Sequence, residues 1–165
     1  MTESKLLPLV EAALARYDIA FSVLDCAPEL ADTAAFCEHY HFALDQAANT
    51  ILVASRKVEP TRYAVCVVLG TTRLDVNQKV CALLEVKRAS FADAETTLSR
   101  TGMLIGGVTA PGITETPIYV DSAVMQQPAV VMGGGNRSSK LLLDPRELLK
   151  LPQVSVIEGL ARPRE

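Results

Sequence analysis

The sequence predicts an α+β domain built around a mixed sheet, and three observations predict it. Short runs rich in β-branched and apolar residues recur along the chain, as at 50–55, 62–70, 117–121 and 129–133. Segments with apolar residues at helical spacing lie among them, without the strict alternation of a doubly wound parallel sheet. The 165 residues are 49% hydrophobic and 21% charged, which supports one domain with a substantial core and excludes a disordered chain. Tryptophan is absent and aromatics are few, so that core is expected to be mostly Leu, Val, Ile and Ala.

Taken in order, Leu6, Leu7, Val10, Ala13, Leu14 and Tyr17 share a helical face, with Ser4 as a plausible N-cap. Ile19 to Leu24 alternates as a strand. A second helix opens at Pro28-Glu29 and runs to about His41, and a short helical or turn segment covers Leu44 to Asn49. Thr50 to Ser55 and Arg62 to Gly70 read as an antiparallel hairpin at the centre of the sheet, because both are continuously apolar and a short Pro60-containing link joins them. Asp75 with Gln78 makes a capping-box pattern for a helix to about Leu84. Val86 to Ala89 is a short strand, and Ser90 with Asp93 caps a helix that stops at Gly102. Strands follow at Pro117 to Asp121, Ala129 to Gly133 and Lys140 to Leu143. Asp144-Pro145-Arg146-Glu147 starts a helix well, with an N-cap, a proline at the first position and a glutamate at the third. Val154 to Ile157 is the last strand. The domain is expected to span residues 1–160, with 161–165 a loose tail.

Composition narrows the function classes. The net charge is −3, so a protein that clamps a long duplex is not expected, and any contact with nucleic acid should be confined to an end. The N-terminus is too charged for a signal peptide and no apolar run is long enough to cross a membrane, so a cytoplasmic protein without membrane or DNA partners is expected. Cys26, Cys37, Cys66 and Cys81 form no CxxC pair and read as free, mostly buried thiols. Cys37-Glu38-His39-Tyr40-His41 resembles a metal cluster only superficially: on a helix His39 points about 200° away from Cys37, and a zinc site needs three or four convergent ligands. No metal or cofactor is expected.

Nine glycines are present and seven fall in two stretches, Thr101 to Gly112 and Gly133 to Gly135. Glycine serves where the backbone takes positive φ or where something approaches it closely. The stretches are therefore expected to form two walls of one small-molecule site. Neither contains a dinucleotide fingerprint or a P-loop. Gly106, Gly107, Val108 and Thr109 would present backbone groups to a compact polar ligand. Gly134, Gly135, Arg137, Ser138 and Ser139 supply donors suited to a carboxylate, phosphate or ribose. Asp121, after its strand, either holds a substrate amine or caps the turn at Ser122. No serine sits in GxSxG and the histidines are His39 and His41 alone, which argues against a Ser-His-Asp hydrolase and for positioning with backbone oxyanion stabilisation.

With these residues in view, the sequence resembles the YbaK/EbsC family, the editing domains related to the insertion domain of bacterial prolyl-tRNA synthetases. The resemblance covers nearly the whole chain. It rests on Thr72-Arg73-Leu74-Asp75, Thr101-Gly102 with Gly106-Gly107-Val108-Thr109, the Pro117 to Asp121 strand, and Gly133-Gly134-Gly135 leading into Arg137-Ser138-Ser139. It implies an α+β fold with a bifurcated mixed sheet surrounded by helices, and hydrolysis of the ester between a small amino acid and the 3′-terminal adenosine of tRNA. The implied partners are the aminoacyl-tRNA acceptor end and a synthetase or elongation factor. In prolyl-linked members a GxxxP loop and a lysine at the start of a core strand line the pocket. Here that lysine falls at Asn49, and the loop proline comes one residue late, as Ala110-Pro111. The expected catalytic set is Asn49, Gly106, Gly107 and Thr109, with Val108, Asp121, Gly134, Gly135, Arg137, Ser138 and Ser139 binding substrate. A free-standing deacylase acting in trans is the first expectation. A non-catalytic binder of an aminoacyl-adenylate or tRNA end is the second, and a small-molecule hydrolase on the same fold the third.

Overall fold

The computed structural model describes residues 6–163. The Ser4 cap and residues 164–165 lie outside them. Helix α1 (Pro8–Arg16) starts with proline in the first turn, where a missing N–H breaks no helical bond, and it buries Val10 and Leu14. Strand β1 (Ser22–Asp25) follows, then a single 3₁₀ turn at Pro28–Leu30 and helix α2 (Thr33–Tyr40). Strands β2 (Ala48–Ser55) and β3 (Tyr63–Leu69) form the expected antiparallel hairpin, from Ala48 opposite Leu69 to Ala54 opposite Tyr63. The chain continues through β4 (Thr72–Leu74), a π-helical turn at Val76–Val80 running into α3 (Cys81–Leu84), β5 (Ala89–Phe91) and α4 (Ala94–Thr101). After the glycine loop come β6 (Ile118–Asp121), β7 (Val130–Gly133), β8 (Ser139–Leu143), a 3₁₀ segment at Pro145–Lys150, β9 (Val154–Ile157) and β10 (Ala161–Pro163).

The main sheet has the order β5-β2-β3-β6-β9 and is mixed: β2 is antiparallel to β3 and β5, whereas β6 is parallel to β3 and β9. A second, antiparallel sheet has the order β1-β8-β7. A parallel bridge between Ala47 and Val131 connects the two, so the sheets diverge from a point just before β2. Strand β3 explains why the hairpin reads as a continuous apolar run. Its successive side chains alternate between faces. Val65 and Val67 pack with Val10, Leu14, Ile118 and Leu141, while Ala64, Cys66 and Val68 pack with Val80, Leu84 and Leu160. Burial on both faces removes the polar alternation of a one-sided strand.

Four local expectations are corrected. Ile19 is buried, but Ala20 and Phe21 are exposed and the strand begins at Ser22; the Ala20 N–H donates to Glu147 Oε1 at 2.7 Å instead of to a neighbouring strand. The strand expected at 86–89 lies at 89–91, so Ser90 is within it and Asp93 alone caps α4, accepting from the Thr96 N–H at 2.7 Å. The helix after Asp144 is 3₁₀. Residues 161–163, expected to be loose, pair with β4 in β10, and Arg162 bridges Asp75 at 3.0 Å. Three ladder residues and an ion pair hold that segment to the body.

Candidate functional site

The two glycine stretches touch each other. The Gly135 N–H donates to the Gly107 carbonyl at 2.6 Å, and the Leu104 N–H donates to the Gly135 carbonyl at 3.2 Å. A Cβ on Gly133 would meet the Gly107 carbonyl carbon and the Val108 carbonyl oxygen at 2.6 Å, closer than van der Waals contact allows. Gly135 also holds φ at +94°, a region other residues rarely adopt. The stretches therefore stack backbone on backbone as a single double-layered wall, not as two opposed walls.

A cleft of about 290 Å³ opens on that wall. Its floor is the start of β2, from Ala48 to Leu52. Gly106 and Val108 form one side with Gly133 and Lys140, and Phe91 and Ile105 stand at its rim, 58% and 46% exposed. Thr33 closes the third side, and its hydroxyl donates to Asn49 Oδ1. Of the sequence-predicted residues, Asn49, Gly106 and Val108 line the cleft.

The others do different work. Thr109 is fully buried behind the wall, and its Oγ1 has no hydrogen-bond partner among the described residues. Gly107 supports the Gly135 contact. Gly134 accepts the Leu7 N–H at 3.1 Å and so anchors the entry to α1. Arg137 is a brace: its guanidinium donates to the carbonyls of Pro28 at 3.1 Å and Ile105 at 2.8 Å, and pairs with Asp32 at 3.2 Å. Ser138 gives its carbonyl to the Cys26 N–H, and the Ser139 hydroxyl donates to Asn136 Oδ1 at 2.8 Å. Gly134, Gly135, Arg137, Ser138 and Ser139 thus do not line the cleft but hold residues that do, or that support them. Asp121 is 3% exposed and lies elsewhere. Its carboxylate accepts the N–H groups of Leu160, Ala161 and Ser122, although burial still pushes its pKa above the usual range. Its role is to hold the chain entering β10.

The residue that sequence reasoning passed over is Lys140. It is 5% exposed, yet Nζ reaches the cleft and donates to the Ala31 carbonyl at 2.6 Å and the Gly106 carbonyl at 2.7 Å. It makes no ion pair among the described residues; burial pulls its pKa down, and neighbouring Arg137 adds to this. An ammonium has three donors, so one N–H is without a hydrogen-bond acceptor among the described residues, on an Nζ that lies 5.5 Å from the Phe36 ring centroid. Its signal in the sequence was a lysine in the otherwise apolar strand pattern Lys140-Leu-Leu-Leu. Thr50 was also missed. It lines the cleft, and its buried Oγ1 has no partner among the described residues. Nothing in the sequence marks it out.

His39 and His41 are exposed, and no group of three or more His, Cys, Asp or Glu side chains among the described residues could hold a metal ion. No helix among them is long and apolar enough to cross a membrane.

The fold is similar to that of solved structures. The hypothetical protein APE2540 superposes with a TM-score of 0.81 at 21% identity, covering 93% of this chain and 99% of the other. A candidate trans-editing enzyme for prolyl tRNA synthetase superposes with a TM-score of 0.76 at 22% identity, covering 93% of this chain and 98% of the other. At these identities the likeness shows the fold alone, a mixed α+β domain. The family model for the aminoacyl-tRNA editing domain matches residues 27–151, which include α2, the hairpin, both glycine stretches and Lys140. The chain therefore belongs to the aminoacyl-tRNA editing domain family.

Proposed function

We propose that the cleft hydrolyses the ester joining a small amino acid to the terminal ribose of a tRNA, in a free-standing cytoplasmic deacylase acting in trans. The observation that carries this reading is Lys140. It places one buried ammonium at the Gly106 carbonyl, in a cleft that Asn49 also lines. From β8 it supplies the cation that the family pattern puts at position 49. In this reading the free Lys140 N–H and the Thr50 hydroxyl hold the aminoacyl ester, and the Gly106–Val108 backbone lies along the scissile carbonyl. Water adds to the carbonyl carbon. The ester C–O bond then breaks, the ribose oxygen takes a proton, and a free amino acid leaves with an intact tRNA end. A synthetase or elongation factor is the natural source of the charged tRNA.

The cleft's size suits this task. One methylene discriminates by only about 1–3 kcal/mol in a hydrophobic pocket, so a synthetase admits small wrong side chains that a second site must remove. About 290 Å³ accommodates a small aminoacyl group and part of a ribose. The test is deacylation of tRNAs charged with Ala, Ser, Thr, Pro and Cys. Cleavage of at least one well above the buffer rate is expected, and cleavage of none would sink the reading.

One observation favours a binder instead. Asp32, the only carboxylate among the described residues lining the cleft, is paired with Arg137, and Asn49 Oδ1 is engaged by Thr33. No general base is left among those lining residues. If the parent protein is inactive and Asn49→Lys creates deacylation, the natural role is binding; activity in the parent that Lys140→Met cuts by roughly 100-fold supports the enzyme.

A further inference from the structure

A second groove, of about 560 Å³, lies at the other end of the β2–β5 ladder. Arg56 and Lys57 form one wall where the chain leaves β2, and Lys87 and Arg88 form the other where it enters β5. The Arg56 N–H donates to the Arg88 carbonyl at 2.9 Å and ties the walls together. All four side chains are exposed and none makes an ion pair among the described residues. The one carboxylate among the described residues lining the groove, Glu85, faces Arg62 at 3.9 Å, so its charge is already opposed. The groove is a concentrated positive site on a chain whose net charge is −3.

We propose that this groove grips the phosphate backbone of the acceptor stem of the tRNA whose 3′ end occupies the cleft. The inference rests on the editing function proposed above. Two features favour RNA over an acidic protein surface. The first is position. The cleft is lined by Leu52, Phe91 and Ala92, and the groove starts at Arg56 and Arg88, four residues further along the same ladder. At the strand rise that is about 13 Å, and β5 is an edge strand with nothing paired outside it among the described residues. Leu52 and Val108 of the cleft pack on one face of the sheet and Val86 of the groove on the other, so a nucleic acid leaving the cleft and passing around that edge strand meets the cations. The second is shape: cations on both walls of a concave groove match a convex phosphate backbone, whereas the acidic remainder of the surface repels it.

The experiment compares the wild type with the R56A/K57A/K87A/R88A variant. The half variants R56A/K57A and K87A/R88A serve if the quadruple one does not fold. The first readout is the Kd for uncharged tRNA across a salt series, which needs no catalysis. Binding is expected to weaken about tenfold or more near 0.1 M salt, and the slope of log K against log salt to flatten by about 0.7–0.9 for each phosphate that the variant no longer neutralises. The second readout is deacylation of an aminoacyl ester on a short oligonucleotide ending in CCA, which cannot reach the groove. Its rate is expected to be unchanged. Wild-type binding and deacylation with an unaltered tRNA Kd in the variant would overturn the groove alone and leave an acidic protein as its occupant. Equal losses on both substrates would also overturn it, because the groove would then be acting through the cleft. A wild type that binds no tRNA would remove the groove and the editing reading together.

Discussion

Lys140 carries a conflict between its charge and its surroundings. Burial disfavours the ammonium, whereas the Ala31 and Gly106 carbonyls favour it. Its folded pKa lies below its unfolded value near 10.5, so the unfolded chain binds more protons between the two and stability rises with pH across that window. The unfolding free energy of wild type minus Lys140→Met should therefore increase as pH climbs from the lowered pKa to about 10.5, as read by denaturant titration; a flat difference would contradict it. Activity should move the opposite way. If the charged amine holds the ester, kcat/KM corrected for buffer hydrolysis falls on the alkaline side at a lower pH than an ordinary lysine would give. Lys140→Met should cost roughly 100-fold, the order of losing one preorganised donor. The two threonines whose hydroxyls have no partner among the described residues separate site from scaffold. An orphaned buried hydroxyl costs about 1–3 kcal/mol. Thr109→Val should raise stability by about 1 kcal/mol with kcat/KM unchanged. Thr50→Val should be equally harmless to stability but raise KM several-fold, because it removes a hydroxyl from the cleft lining. Gly106 and Val108 were legible as cleft residues from glycine clustering, and Asn49 from the family resemblance alone. Thr50 was not, and Lys140 showed only as a lysine in an apolar strand; what brings them together is the approach of the smaller sheet to β2 through β7, which is not a local pattern.

At the scale of elements, long apolar runs and caps were readable and short edge pieces were not. The β2–β3 hairpin follows from two continuous apolar runs, and Asp75 caps its helix by accepting the Gln78 N–H at 3.1 Å. Strands β4 and β10 are three residues each and carry little hydrophobic signal. They exist because Asp121 fixes the chain at Leu160 and Ala161 and Arg162 reaches Asp75. Asp121→Asn should therefore lower stability by about 1–3 kcal/mol, as an amide offers one acceptor where three N–H groups converge. It should leave kcat/KM per folded molecule within about twofold. A selective loss of activity in a stably folded Asp121→Asn protein would restore the residue to the substrate site.

Across the whole molecule, the question is whether two diverging sheets behave as one cooperative unit. They share a core: Val130, Met132, Leu141 and Leu143 from the smaller sheet pack in the same cluster as Val65, Val67, Ile118 and Val120 from the larger. Beyond that core, Cys26 and Cys37 belong to regions around the smaller sheet and α2, while Cys66 sits at the centre of β3. All four thiols are free and buried. Burial raises the pKa of Cys26 and Cys37 above the ordinary 9.0, and pushes that of Cys66 to about 12. The thiolate is the reactive form, so the native protein at about pH 8 should react with a disulfide reagent very slowly, and Cys66 slowest of all. Because the shared cluster joins the sheets, denaturant should expose Cys26 and Cys66 at one midpoint, measured by residue-resolved labelling. Labelling of Cys26 at a clearly lower midpoint than Cys66 would mean that the smaller sheet opens alone. Lys140 in β8 would then leave Gly106 while the β2 side of the cleft stayed folded, and substrate binding would be lost at the Cys26 midpoint and not at that of Cys66.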